Sequence, residues 1–225
     1  ERNSLKATLG ASEVSLASNG HIGEKTSYLV SVRQSYLQFL FDMLDLPFLP
    51  TFTDVQFKLK TRFDKQNELT ILGLGGIDNM RLNTKADSED NEYILSYLPK
   101  IKQETFTLGS VYRHYAGAHV QSIVVSHSYL NNRNTKYRQN DESVPDNLML
   151  RLRSTEQETK FRFENKSSIR NWKINLGVNL DYSQYSNTSF QKIYTNQAQI
   201  FDYHTYLDIL RWGIFGTVNY SSMDE

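Results

Sequence analysis

The feature that most constrains the fold is the unbroken alternation of side-chain character in residues 172–182. The apolar positions are Trp172, Ile174, Leu176, Val178, Leu180 and Tyr182, and the positions between them hold Lys173, Asn175, Gly177, Asn179 and Asp181. Successive side chains of a β-strand point to opposite faces of a sheet, so a period of two predicts a strand with one apolar and one polar face. An aromatic residue stands at each end of the apolar row. The segment is therefore predicted to be a strand that separates two different environments.

A second alternating segment is followed at once by a turn and another apolar run. Val55, Phe57, Leu59 and Phe63 alternate with Asp54, Gln56, Lys58, Lys60 and Arg62. The tetrapeptide DKQN at residues 64–67 supplies turn formers, and residues 69–77 are mostly apolar, so residues 53–78 are predicted to form a β-hairpin. Three glycines between residues 73 and 76 predict a bend, a bulge or the close approach of other backbone in the second arm.

The connections between the predicted strands alternate in length. The short ones are residues 20–26, 64–67, 116–119 and 165–171, and the long ones are residues 38–51, 79–104, 130–146 and 183–205. Transmembrane β-barrels have this asymmetry, with short turns on one side of the membrane and longer loops on the other. A soluble β-sandwich also has alternating strands, but it needs two sheets packed face to face and seldom carries four such loops at one end. The pattern favours the barrel.

One further segment is predicted to be a long bulged strand. Leu148, Leu150 and Leu152 face away from Arg151 and Arg153, and Phe161 and Phe163 resume the alternation beside Lys160 and Arg162. Residues 154–159 lie between these two halves and contain no Gly, Pro, Asn or Asp, the residue types that favour turns. A single strand is therefore expected here rather than two.

Composition and motifs exclude several classes of function. The 25 basic and 25 acidic residues cancel, so no net charge favours nucleic acid. There is no cysteine, which excludes thiolate metal sites and cysteine catalysis. The five histidines show no ligand spacing, and no nucleotide-binding or hydrolase motif is present. The sequence therefore predicts no enzyme, no metal site and no cofactor.

Several stretches of the chain resemble a known family of membrane proteins. The runs SYLVSVRQSYLQFLF, LDLPFLPTFTDVQFKLK and NELTILGLGGID, all within residues 27–78, are similar to the early barrel region of TonB-dependent outer-membrane receptors, especially those of Bacteroides-like bacteria. In that family a strand ending in an Arg-x-Ser-Tyr element, here Arg33, Ser35 and Tyr36, precedes a proline-containing loop and a strand-turn-strand unit. The closing run TYLDILRWGIFGTVNYSSMDE resembles a later barrel strand of the same family.

The resemblance implies an antiparallel barrel of about 22 strands with a plug domain in its lumen. Residues 1–225 would form nine or ten of these strands, as part of the barrel domain of a longer protein whose plug is not in this chain. The implied location is the bacterial outer membrane, and the implied role is energised nutrient uptake. The implied partners are membrane lipid, the plug and the TonB-ExbB-ExbD system, and the family also allows a surface lipoprotein as a lid. The alternatives are a passive porin or adhesin barrel and a soluble carbohydrate-binding β-sandwich.

Two groups of site residues follow from these patterns. The polar positions expected to face the lumen are Arg33, Lys58, Lys60, Arg62, Arg151, Arg153 and Asp181. Three aromatic residues in the predicted long loops, Phe48, Tyr93 and Tyr97, are candidates for ligand binding by stacking, although packing within the loops explains them equally well.

Overall fold

The computed structural model describes residues 3–86, 88–194 and 198–222 and contains one ten-stranded sheet. The strands are β1 (Ser4–Leu9), β2 (Glu13–Ile22), β3 (Thr26–Ser35), β4 (Phe48–Arg62), β5 (Asn67–Leu82), β6 (Lys100–Ala116), β7 (His119–Tyr137), β8 (Leu148–Ile169), β9 (Trp172–Tyr194) and β10 (Ala198–Tyr220). Two α-helices lie in the connections, α1 (Leu37–Met43) and α2 (Glu89–Tyr97), together with short 3-10 turns at Arg138–Asn140 and Pro145–Asn147. The prediction of nine or ten strands is confirmed.

Each strand pairs antiparallel with its neighbours in chain order, from β1 at one edge to β10 at the other. The sheet is an up-and-down meander that is not closed within the described residues. Successive strands lengthen from six residues in β1 to 23 in β10. This architecture is the wall of an antiparallel β-barrel, in which neighbours in sequence are neighbours in the sheet.

The connections at the two ends of the sheet differ as the sequence predicted. The turns at residues 23–25, 63–66, 117–118 and 170–171 share one end, which we call the turn end. Residues 36–47, 83–86, 88–99 and 138–147, with both helices, lie at the other end, which we call the loop end, together with the short connection between β1 and β2 at residues 10–12. The prediction of a fourth long loop at residues 183–205 is wrong, because β9 continues to Tyr194 and β10 begins at Ala198. Residues 195–197 of that loop lie outside the described residues.

The sheet has no second layer over it among the described residues. The buried apolar side chains in this part of the chain are Ala86 and Leu95, in the connection between β5 and β6, and Pro47, in the connection between β3 and β4, and none of them lies on a strand. A β-sandwich requires a core formed by the inner faces of two sheets, so the soluble-sandwich alternative lacks its defining feature. No described helix is long and apolar enough to cross a membrane.

The glycine-rich arm of the central hairpin contains no bulge, and backbone comes no closer than ordinary van der Waals distance to Gly75 and Gly76. Pairing of β5 with β4 and β6 proceeds without a register shift. Instead, the ring of Phe57 lies over Gly73, where a Cβ atom would come within 2.3 Å of the ring Cε1 atom. The prediction of a bulge is therefore wrong, and the group that closely approaches this arm is a side chain and not the backbone that the sequence predicted.

Strand β8 is continuous over 22 residues, and its pairing with β9 shows no bulge. The bulge predicted between the two halves of this strand, at residues 154–159, is therefore wrong. The pairing of β8 with β7 does shift register near the start of the strand, where Tyr137 pairs with Leu148 and Lys136 with Leu150, and the faces keep one parity from Leu150 onward. Leu150 and Leu152 consequently lie on the same face as Lys160 and Arg162, whereas Arg151 and Arg153 lie on the face of Phe161 and Phe163. The polarity of each face inverts along the strand instead.

Candidate functional site

One face of the sheet is mainly apolar, and this face extends from β2 to β10, across almost the whole width of the sheet. A single register row on this face consists of Gly20, Tyr28, Leu59, Ile71, Ser110, Val125, Phe161, Leu180 and Trp212. Large side chains on this face are exposed to an unusual degree, with Leu176 at 53%, Trp212 at 74% and Ile214 at 76%. Soluble monomers rarely leave a contiguous apolar surface of this kind uncovered.

The uncharged part of the apolar face forms a band of limited height. In β9 it covers residues 172–182 and in β10 residues 210–220, and neither segment places Asp, Glu, Lys or Arg on this face. Trp172 and Tyr220 meet at its turn-end border with ring centroids 4.8 Å apart, and Tyr182 lies at its loop-end border. Rows of aromatic residues at both borders are typical of membrane β-barrels.

The opposite face, which we call the charged face, carries most of the polar residues that the sequence singled out. Lys58 and Asp181 belong to one register row, which continues through Leu72, Gly109, Ser126 and Lys160. Lys60 and Arg62 follow Lys58 at the spacing of two that keeps side chains on one face, and Arg33 lies opposite Asp54 on the same face. The register does not bring Arg151 and Arg153 to this face.

A buried carboxylate connects three cations on the charged face near the turn end. Glu68 is 2% exposed, and its Oε2 atom lies 3.1 Å from Lys60 Nζ and 3.3 Å from Arg62 Nη2. Its Oε1 atom lies 3.3 Å from Arg113 Nη1. The sequence does not single out Glu68, because β5 has apolar residues on both faces and its alternation does not assign Glu68 to either one.

Other acidic residues on the charged face are also paired with cations. Arg33 bonds Asp54 at 2.7 Å and lies 3.5 Å from Glu13. Glu158 pairs with Lys160 at 2.8 Å and Arg211 at 3.1 Å, and Glu164 pairs with Arg162 at 3.2 Å and Lys166 at 3.5 Å. Opposite charges thus meet on neighbouring strands or positions along the wall. This face is suited to contact with water or a polar surface, and not with hydrocarbon.

The ring of Phe215 packs over Gly177 and supports the guanidinium group of Arg162. The Phe215 ring lies over Gly177, where a Cβ atom would come within 2.3 Å of ring Cζ and 2.7 Å of the Phe163 carbonyl oxygen. The guanidinium of Arg162 lies 4.6 Å from the centre of the same ring. A side chain at residue 177 would therefore displace both the ring and the cation that it supports.

The loop aromatics are placed in two separate contacts. Tyr93 and Tyr97 pack edge to face on α2 with centroids 5.4 Å apart, and both are more than half exposed. Phe48, at the start of β4, packs against Phe41 of α1, also at 5.4 Å. The two connections are joined by Asn91 Nδ2, which donates a hydrogen bond of 2.8 Å to the Asp45 carbonyl oxygen. Loop packing thus accounts for Phe48, whereas the tyrosine pair presents an exposed surface.

Further polar contacts hold the loop end to the sheet. Lys136 is 5% exposed and donates hydrogen bonds to the Leu95 carbonyl oxygen and, at 2.6 Å, to Asn140 Oδ1. Lys192 donates at 2.9 Å to Asp146 Oδ1, and this contact lowers the pKa of the Asp146 carboxyl group. The loops are therefore attached to the wall at defined points.

The histidines have local hydrogen-bond partners on the sheet. His114 Nδ1 lies 2.8 Å from Asn67 Oδ1, His119 Nδ1 lies 2.7 Å from Ser167 Oγ, and His127 Nδ1 lies 2.9 Å from Thr159 Oγ1. Within the described ranges, no three His, Asp or Glu side chains come close enough together to hold a metal ion.

Comparisons with known proteins find similarity in structure alone. No protein-family model matches the sequence, and no curated protein matches it. Among solved structures, the copper transporter OprC aligns with 98% of this chain and 34% of its own, at a TM-score of 0.62 and 11% identity. The ferric-catecholate import receptor Fiu from E. coli K12, in its closed form, aligns with 91% of this chain and 40% of its own, at 0.56 and 8%.

The ferric citrate transporter FecA aligns with 89% of this chain and 33% of its own, at a TM-score of 0.52 and 14% identity. Identities this low support a common fold and nothing finer. The chain spans between a third and about two fifths of the length of these solved proteins.

Proposed function

We propose that the chain is a segment of the wall of a TonB-dependent receptor in the bacterial outer membrane. The observation that carries the proposal is the uncovered sheet with an uncharged apolar band on one face and paired charges on the other. In a membrane, charged side chains are stable only where they face water or other polar groups. A sheet with one uncharged apolar face and one charged face therefore fits the wall of a barrel, with lipid on the first face and a water-filled lumen on the second.

In this arrangement the apolar face contacts lipid and the charged face lines the lumen. Arg33, Lys58, Lys60, Arg62 and Asp181 would face that lumen and, with Glu68, offer polar contacts to a plug domain of the same protein. Arg151 and Arg153 lie on the lipid-facing side in register, but beyond the loop-end border of the apolar band. They would stand at the level of the lipid headgroups.

The transport role is proposed from the fold together with the sequence resemblance in residues 27–78. The solved proteins of similar fold include two transporters and an import receptor. We infer that the parent protein takes up a nutrient at its external loops and that TonB, with ExbB and ExbD, supplies the energy by acting on the plug. Tyr93 and Tyr97 are proposed as a loop contact for that ligand, with Phe48 supporting the loop. The resemblance to receptors of Bacteroides-like bacteria adds a surface lipoprotein lid to the proposed partners.

A passive pore is the competing function, and conductance distinguishes the two. The full-length protein in a planar bilayer should show almost no steady ion current, because a plug fills the lumen. Removal of the plug domain should open a large conductance, and an unrelated outer-membrane porin provides the positive control. A stable large conductance of the intact protein would contradict the importer and support a porin.

A further inference from the structure

Beyond the apolar band, towards the loop end, the lipid-facing side carries a group of cations. Lys102, Arg133 and Arg153 occupy one register row on β6, β7 and β8. Lys100 and Arg151 lie in the adjacent row, separated by Thr135. We call the first three residues the cationic row. It lies on the side that the proposed function assigns to the membrane, so the following inference rests on that function.

The cationic row contains more positive charge than its neighbours neutralise. Directly opposed like charges on neighbouring strands destabilise a sheet, yet Arg133 lies opposite both Lys102 and Arg153. Glu104 is 2.6 Å from Lys102 Nζ and 3.9 Å from Arg133 Nη2 and offsets one charge. Arg153 is exposed and makes no ion pair with any described residue. The row therefore carries an excess of positive charge that is open to an anion from outside the chain.

The adjacent row adds to the same excess. The Lys100 ammonium pairs with Glu142, while the Arg151 guanidinium lies 5.9 Å from the centre of the Phe190 ring. Neither contact brings an acidic group to Arg153. The five cations of the two rows thus form ion pairs with two carboxylates, Glu104 and Glu142, and a third carboxylate, Asp202, lies in the row of Arg151 on the far side of Phe190.

An apolar depression lies directly below the cationic row on the same face. It has a volume of about 390 Å³ and is lined mainly by Val55, Gly75, Ile77, Phe106 and Tyr129, and Glu104, the partner of Lys102, is also part of its lining. Phe106 and Tyr129 stack with centroids 5.3 Å apart, and Gly75 leaves the floor between Val55 and Phe106 without a side chain. Phe106 follows Lys102 by four residues, which is roughly 13 Å along a strand.

We propose that this surface binds an anionic phosphorylated membrane lipid of the leaflet at the loop end. The lipid phosphate would accept hydrogen bonds from Arg133, Arg153 and Lys102, and an acyl chain would occupy the depression over Gly75. Guanidinium groups bind phosphate oxygens through two parallel donors, and clustered basic residues beside a membrane attract anionic headgroups. Glu104 orients Lys102 and limits the number of phosphates that the row holds.

The test uses the full-length protein in nanodiscs of equal parts phosphatidylglycerol and phosphatidylcholine, with bound lipid counted by native mass spectrometry. The wild-type protein should retain phosphatidylglycerol in preference to phosphatidylcholine. The double variant Arg133→Gln/Arg153→Gln should lower that preference by about ten-fold or more, since each basic residue near the surface contributes roughly a five-fold factor. Gly75→Leu, which fills the depression, should lower retention of phosphatidylglycerol while leaving the cations in place.

The matched control is Lys65→Gln/Lys173→Gln, which removes the same charge at the turn end and should leave lipid retention unchanged. An equal loss in this control would overturn the site, because it would reflect overall charge. Displacement of phosphatidylglycerol by millimolar inorganic phosphate would also overturn it in favour of a free-anion site.

Brominated lipid tails in the same nanodiscs separate failure of the lipid site from failure of the proposed membrane wall. Quenching of a tryptophan at residue 176 without lipid preference would reject the lipid site alone, and absence of quenching would reject the membrane wall itself.

Discussion

Single residues on the charged face make contacts that the alternation could not specify. The sequence placed Lys60 and Arg62 on one face, and the register agrees, but nothing in the pattern indicated that both meet Glu68. Likewise, an aromatic ring covers a glycine at Gly73 and at Gly177, where an added Cβ atom would come within 2.3 Å of the ring. These contacts depend on which residues the strand register places opposite each other. The alternation within one strand shows which face a residue is on, but not which residue of the neighbouring strand it meets.

Glu68→Gln should destabilise the protein by about 1–3 kcal/mol, because it removes the carboxylate that neutralises Lys60, Arg62 and Arg113 while nearly keeping the side-chain volume. The three cations are partly exposed, so water moderates the cost. The measurement is urea unfolding of the full-length protein in lipid vesicles. Glu24→Gln, in the exposed turn between β2 and β3, is the control and should leave the midpoint unchanged. Equal midpoints for both variants would mean that Glu68 has no special role.

Gly177→Ala should destabilise the sheet by roughly 1–3 kcal/mol, as overpacking does in a close-packed site. The added Cβ atom would lie 2.7 Å from the Phe163 carbonyl oxygen, and backbone cannot move aside as a flexible side chain can. Gly213→Ala is a matched control on the same face, because nothing lies within 4 Å of its added Cβ atom. It should be neutral or slightly stabilising, since alanine has less chain entropy to lose on folding. Thermal unfolding that ranks the two variants in the opposite order would show that the ring does not cover residue 177.

At the scale of elements, alternation predicted strands well only where one side meets apolar surroundings. The strand at residues 172–182 and the first arm of the central hairpin are predictable because each carries one apolar row that alternates with polar residues. Both faces of residues 183–194 are mostly polar, so their sequence predicts a loop. In the structure β9 continues through these residues. The inversion of faces in β8 has a different cause, because beyond the apolar band Leu150 and Leu152 lie on the charged face while Arg151 and Arg153 lie on the apolar face. Turn chemistry, in contrast, was readable at DKQN, where the structure has its turn.

The turn between β4 and β5 should lose stability in acid. The Asp64 carboxylate accepts hydrogen bonds from the Asn67 side-chain amide at 2.8 Å and from the backbone N–H groups of Gln66 and Asn67 at 2.7 and 2.8 Å, and these contacts lower its pKa. A carboxyl group with a lowered folded-state pKa stabilises the fold above its unfolded value, about 3.9, and this contribution is lost as pH falls through the folded value.

Asp64→Ala should therefore unfold more readily than wild type at neutral pH, and the difference should shrink as the pH is lowered below about 4. Denaturant titrations of both proteins at neutral and acidic pH provide the measurement. Asp202→Ala, an exposed carboxylate on β10, serves as the control for general charge effects. A difference between wild type and Asp64→Ala that stays constant with pH would exclude the ionised turn cap.

At the scale of the whole molecule, the two ends of the sheet should lie on opposite sides of one membrane. Single cysteines at Glu89 and Glu142 of the loop end should react with an impermeant maleimide on intact cells, while cysteines at Gln66 and Ala118 of the turn end should be protected. All four positions are exposed, so local burial does not limit the reaction. Permeabilised cells, in which all four should react, are the control. Labelling of the turn end alone would reverse the orientation, and labelling of both ends on intact cells would contradict a spanning wall.

The assignment of faces to lipid and water is the central claim, and tryptophan quenching by brominated lipid tails tests it most directly. The reporters are single tryptophans at Leu176 on the apolar face and at Asn179 on the charged face, close to the same depth, with the other tryptophans of the full-length protein replaced by phenylalanine. The account predicts strong quenching at residue 176 and little at residue 179. Equal quenching at the two positions, or stronger quenching at residue 179, would contradict it.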